Sequence, residues 1–279
     1  MKRVRFAVTL LIMLSMSLPI IPFDAVAGDG VVRLYAAGSL RPAFTDMISA
    51  FQKAQAIKVE PTFGASGLLR ERLASGEQGD LFASADMGQP LALQAAGKAG
   101  PVVLFARNRL CALVRPNLDI ITSETLLSNM LDPAVRLGTS TPKADPSGDY
   151  AWEVFRRADA VQPGSRERLE AKAIKLTGGP AAPQPPPDRN VYAWHIAENR
   201  ADLFLAYCTN AKAFKSEAPD GRVVELPREL AVGAEYGLTL LETSSAPSAA
   251  AALAFYILSN DGQQILQKHG FNAPLLRQE

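Results

Sequence analysis

Ser39 in RLYAAGSLRPAF and Ser66 in VEPTFGASGLLRERL each stand where a strand-forming run stops at a small-residue turn and a helical pattern begins at once. A helix start leaves its first N–H groups without intrahelical partners, and serine is a favoured residue for capping them. Pro42, in the first turn after Ser39, fits a helix start as well. Capping is the plain reading of either serine alone. A second reading sets each hydroxyl beside free amides and a positive helix end, an anion site that needs no lysine or arginine. DPSGDY repeats the device, with Ser147 at the turn and Gly148 allowing close backbone approach.

A secreted hydrolase using Ser66 or Ser39 is the competing chemistry. GASGL departs from the Gly-x-Ser-x-Gly elbow because Leu68 stands where the last glycine belongs. The chain has two histidines, His195 and His269, and neither sits in a motif for a general base. The same scarcity argues against a histidine-rich metal site. Asp86, Asp145, Asp149 and Asp188 read as turn and cap residues, Asp86 also as a group that could orient a backbone. Tyr35, Tyr150 and Tyr192 read as core or rim aromatics, and His195 beside Trp194 as packing.

The elements that would position these residues alternate. VVRLYAA, IKVEPTF and DLFASAD are strand-like, and helical patterns follow each, with Leu40, Phe44, Met47, Ile48 and Phe51 on one face of the first. This βαβαβ order implies a parallel sheet with helical crossovers, hence an α/β fold. RLCALVRP is a longer apolar strand, and VRLGTS opens a second strand–turn–helix unit through DYAWEVFRRA. KLTGGPAAPQPPPDRN must be a surface loop. VYAWHIAENR reads as helix, DLFLAYCTNA and RVVELP as strands, and the tail as two helices divided near Asn260-Asp261-Gly262. In such a sheet the carboxyl ends of the strands share an edge where ligands bind, and Ser39 and Ser66 both fall there.

Residues 1–27 read as a signal peptide, with a basic start, a short apolar stretch and Ala25-Val26-Ala27 before the cleavage point. Their removal takes away Lys2, Arg3, Arg5 and Asp24, moving the net charge from +1 to −1. No broad pull on nucleic acid or anionic lipid is expected. Cys111 and Cys208 lie in the exported part, where an oxidising compartment permits a disulfide that sequence alone does not establish.

From about Val31 to the C-terminus the chain resembles the periplasmic molybdate-binding proteins of ABC importers, which are two-lobed type II solute-binding proteins. The resemblance rests on Ala37-Gly38-Ser39-Leu40, Phe63-Gly64-Ala65-Ser66, GDLFASAD, Pro146-Ser147-Gly148-Asp149-Tyr150, Leu205-Ala206-Tyr207 and the late Gly270-Phe271, in that order. It implies a type II periplasmic binding fold, each lobe a mostly parallel sheet flanked by helices, with the ligand cleft between them. Lobe 1 would comprise 28–108 and 224–279, and lobe 2 residues 109–223. The oxyanion ligands carried over are the hydroxyl and amide of Ser39 and of Ser66, the amide at Ser147, an amide near Arg189 and the hydroxyl of Tyr207. The ligand implied is molybdate or tungstate, with no cofactor and no protein–metal bond. The partner implied is a membrane permease, and the protein a periplasmic monomer.

Three features depart from that family. Ser147 replaces the usual alanine and adds a hydroxyl, Arg189 replaces a small apolar residue, and the loop before it is proline-rich. Arg189 facing the cleft would favour another or more highly charged anion; facing solvent, it would leave selectivity unchanged. The same fold binding another small anion or organic acid is the alternative. An iron-binding relative would need a tyrosine pair with acidic or histidine ligands, and Tyr207 has no evident partner of that kind.

Overall fold

In the first strand, β1 (Val32–Ala37), every residue but Arg33 is buried. A strand buried on both faces belongs inside a sheet covered by helices, and β1 runs parallel between β2 (Val59–Gly64) and β3 (Leu81–Ser84). The crossovers are α1 (Arg41–Gln55) and α2 (Ser66–Ala74), followed after β3 by α3 (Gly88–Ala95). Phe44, Met47, Ile48 and Phe51 lie on the buried face of α1, as their spacing predicts. The computed structural model describes residues 30–118 and 121–274, so the expected signal peptide lies outside the described residues.

β4 (Val103–Val114) carries the chain from one lobe to the other. Its first part, Val103–Arg109, pairs antiparallel with β9 (Gly233–Leu240), and β9 pairs antiparallel with β3. Its second part, Leu110–Val114, lies between β7 (Leu203–Tyr207) and β8 (Arg222–Glu225). β5 (Leu137–Ser140) joins β7 and β6 (Ile174–Thr177) in parallel. The path is β2-β1-β3-β9-β4-β7-β5-β6, with β8 on β4. Each lobe is therefore a mixed sheet, parallel at its outer strands and antiparallel around β4. β8 pairs over its whole length with Cys111–Val114, so the expected lobe boundary at 223/224 falls within a strand of the second sheet.

The second lobe also holds α4 (Leu126–Leu131), α5 (Pro146–Val161), α6 (Ser165–Lys172), α7 (Val191–Ala197) and α8 (Ala211–Glu217). The expected proline-rich loop connects β6 to α7 without helix or strand. The C-terminal part adds α9 (Pro247–Leu258) and α10 (Asn260–Lys268), split at Ser259, which caps α10 by accepting from the Gly262 N–H at 3.3 Å. β9 escapes a reading by alternation because Gly233 and Gly237 interrupt it. Gly237 is there for space: a Cβ would stand 2.8 Å from Pro90 Cγ and 3.1 Å from the Asp86 carbonyl.

Cys111 and Cys208 form a disulfide across a Cα–Cα distance of 5.0 Å. Cys111 is on β4 opposite Ala206, and Cys208 directly follows Tyr207. The bond clips the end of β7 to the crossing strand and closes a separation of 97 residues. A loop of that length carries a large denatured-state entropy in the chain model. Replacing both cysteines by alanine is expected to lower the unfolding free energy by about 3 kcal/mol. Urea denaturation with far-UV circular dichroism measures this, and a change below about 1 kcal/mol would show that the clip does not limit stability.

Candidate functional site

Neither serine caps a helix. Ser39 sits in a 3-10 turn (Gly38–Leu40) between β1 and α1, and the N-cap of α1 is Leu40. Ser66 is the first residue of α2, where Ala65 holds the N-cap position and offers no side-chain acceptor. Both hydroxyls are used elsewhere. Ser39 Oγ is 2.9 Å from the hydroxyl of Tyr236 on β9. Ser66, fully buried, accepts from the Ala85 N–H at 3.0 Å. A backbone N–H can only donate, so the proton of Ser66 is left for an acceptor in the cleft.

Ser39, Ser66, Ser147, Arg189 and Tyr207 all line one cleft of about 530 Å³ between the lobes. Ser147 and Tyr207 are each 2 % exposed, and their hydroxyls have no hydrogen-bond partner among the described residues. Native interiors rarely leave such groups unsatisfied. Burial raises the Tyr207 phenol well above its ordinary pKa, so it stays a neutral donor. Thr177, at the end of β6, adds another buried, unpartnered hydroxyl to the lining; its place beside the glycine- and proline-rich run hid it in the sequence.

The Ser147 amide and Arg189's own amide are both occupied. The Ser147 N–H donates to Asp145 Oδ1 at 3.0 Å, because Asp145 is the N-cap of α5. The Arg189 N–H turns back to the Pro186 carbonyl at 3.3 Å. The Arg189 side chain lies at the exposed rim in an ion pair with Glu217 on α8. It therefore adds no uncompensated positive charge to the cleft. Two residues on, Val191 opens α7 behind its N-cap Asn190, whose Oδ1 accepts from the Tyr192 and Ala193 N–H groups. The Val191 N–H has no acceptor among the described residues, and Val191 lines the cleft. An asparagine directly before the helical pattern was the sequence signal for that amide.

The remaining candidates have structural places. Asp145 lines the cleft, and burial pushes its carboxyl above the usual range against hydrogen bonds from Ser140 and the Ser147 N–H. Asp86 is raised by burial as well. Tyr35 bonds Glu77 at 2.8 Å, and Tyr192 accepts from Asn210 at 3.2 Å. His195 is fully buried against Trp194 and Phe204, while His269 meets Asp46 at 2.9 Å. Neither histidine lines the cleft. Among the described residues no group of three or more His, Cys, Asp or Glu could hold a metal ion.

The lobes touch beside the serines. The Gly67 N–H donates to the Ala144 carbonyl at 2.9 Å, and the Tyr150 hydroxyl to the Ala85 carbonyl at 3.4 Å. Residues 32–272 match the family of bacterial extracellular solute-binding proteins. The chain belongs to that family. A functionally uncharacterised protein of Pasteurella multocida (strain Pm70) is 39% identical over 207 residues, 74% of this chain and 86% of the relative. The periplasmic molybdate-binding protein of Azotobacter vinelandii superposes with a TM-score of 0.70 at 17% identity, covering 87% of this chain and 99% of that one. The sulfate-binding protein SubI of Mycobacterium tuberculosis H37Rv gives 0.73 at 18% identity, covering 88% and 87%. The family and these neighbours are solute-binding proteins, not enzymes. In this solute-binding protein a Cβ on Gly67 would stand 2.2 Å from the Lys143 carbonyl oxygen and 2.7 Å from that of Ala144. Gly67→Ala is therefore expected to hold the lobes apart, raising the radius of gyration in small-angle scattering while each lobe stays folded. An unchanged radius would mean that the contact does not control closure.

Proposed function

We propose that this solute-binding protein captures a tetrahedral oxyanion in the cleft, molybdate or tungstate first, and hands it to the membrane permease of an ABC importer. The observation that carries the reading is the pair of buried, unpartnered hydroxyls on Tyr207 and Ser147, facing one cleft with Ser66. A fully ionised oxyanion accepts on every face, and a charged acceptor strengthens each hydrogen bond it receives. Donors already fixed in a closed cleft replace its hydration shell without new reorganisation. The family's extracellular character and the expected signal peptide support an exported, periplasmic setting. Lobe closure on the anion would then present the surface that the permease reads.

Sulfate is the second reading, favoured by the likeness to a sulfate-binding protein; the pairing of Arg189 with Glu217 leaves the choice between the two to ion size. Calorimetric titration with molybdate, tungstate, sulfate and phosphate separates the two. Ser66→Ala is expected to weaken the bound anion about tenfold or more. Tyr207→Phe should act in two directions. It removes an unsatisfied buried hydroxyl, so the ligand-free protein gains about 1 kcal/mol and melts a few degrees higher. The anion affinity falls at least about tenfold in the same variant. A Tyr207→Phe protein that binds as before would remove this tyrosine from the site, and a wild type silent to all four anions would sink the oxyanion reading.

A further inference from the structure

Behind Ser39 lies a chain of buried polar groups that runs away from the cleft into the crossing strands. Asn108 on β4 is 3 % exposed, and its Oδ1 accepts from the Arg109 N–H at 2.8 Å. That contact fixes the amide orientation, so Nδ2 is the end facing inward. Nδ2 donates to Thr209 Oγ1 at 2.9 Å and to the Tyr236 hydroxyl at 3.2 Å. Tyr236 is fully buried and lies 2.9 Å from Ser39 Oγ. Its ring is held between Phe105, Tyr207 and Phe271, with centroids 5.4–6.1 Å away.

The head of the chain fixes one proton direction, while the Tyr236–Ser39 bond can take its proton from either oxygen. An amide NH₂ cannot accept, so Tyr236 must receive from Asn108 and direct its own proton to another oxygen. Ser39 Oγ is at hydrogen-bond distance to take it. Having accepted there, Ser39 has its own proton free for the cleft. We infer that Tyr236 and Asn108 are positioning residues that fix Ser39 as a hydrogen-bond donor to the bound anion, through a relay spanning both crossing strands and reaching Thr209 beside the Tyr207 turn. The inference rests on the oxyanion reading of the cleft. A serine without this backing can rotate its proton toward Tyr236 and face an anion with lone pairs. Hydrogen bonds inside a low-dielectric chain also polarise one another, which strengthens the terminal donor.

A double-mutant cycle tests it. The full exported protein is titrated calorimetrically with molybdate, tungstate and sulfate as wild type, Tyr236→Phe, Ser39→Ala and the double variant. For each anion that binds, Tyr236→Phe is expected to weaken affinity about tenfold when Ser39 is present and less than twofold when it is alanine. Asn108→Leu, which removes the head of the relay at similar volume, should show the same dependence on Ser39 and supplies the test if Tyr236→Phe fails to fold. Equal losses with and without Ser39 would overturn the relay, since Tyr236 would then act through packing alone. Unchanged affinity in Tyr236→Phe also overturns it. A wild type that binds none of the three anions defeats the oxyanion reading first, and the relay with it.

Discussion

A buried hydroxyl without a partner costs free energy, and this cleft keeps such hydroxyls on Ser147, Thr177 and Tyr207. Much of the second lobe serves to keep them there. Asp145 caps α5 and takes the Ser147 amide, so the first turn of that helix is fixed while the side chain stays unengaged. Gly148 permits the turn because a Cβ would meet the Pro142 nitrogen and the Thr141 carbonyl carbon at 2.5 Å. Tyr207 is the last residue of β7, and the disulfide one residue later ties that end to β4. Without these restraints the hydroxyls would turn toward nearby carbonyls, and the site would satisfy itself instead of a ligand.

The second dependence is on β4. One continuous strand serves both sheets, so the lobes share a backbone ladder while their helices pack separately. Closure has to bend that strand and the return segment into β9, a hinge of few residues. The Gly67–Ala144 hydrogen bond lies outside this ladder and joins the first turn of α2 to the turn before α5. It is a weak latch, a single backbone bond worth about 1 kcal/mol. On the oxyanion reading, an anion spanning Ser66 and Tyr207 would supply more, and closure would then depend on the ligand rather than on the latch.

The strand–turn–helix positions of Ser39, Ser66 and Ser147 were legible because local pattern decides them, and with them the cleft edge. The capping role was not decided by pattern, since an alanine holds the N-cap before α2 and the serine falls one residue later. Near Arg189, the amide without an acceptor among the described residues is that of Val191, two residues on. The sequence pattern begins α7 at Val191, as observed; which amide of that first turn stays free depends on the two side-chain bonds of Asn190, which local pattern does not show. Tyr236 was out of reach. Its strand is interrupted by glycines, and its partners Ser39 and Asn108 lie 197 and 128 positions away in the chain. The Cys111–Cys208 bond likewise follows from the β4–β7 register, which no local spacing encodes.

The charges around the cleft are mixed in sign, so net attraction alone does not select a ligand. Asp145 lines it and interacts unfavourably with Asp86 and Asp149, Arg189 is neutralised by Glu217, and Arg41, stacked over the Phe63 ring, places a cation at the rim. Burial first, then the neighbouring carboxylates, raise Asp149, and burial with Asp86 raises Asp145. A nearby anion pushes both further toward their neutral forms. With charges of both signs at the cleft, an anion held there would still have to recover most of its hydration energy from short, aimed donors. Such donors tolerate little displacement, because a hydrogen bond weakens steeply once its geometry is lost. A site built that way would discriminate by the radius and shape of its ligand, and its affinity would follow how accurately the two lobes bring Ser66 and Tyr207 to opposite faces of one ion.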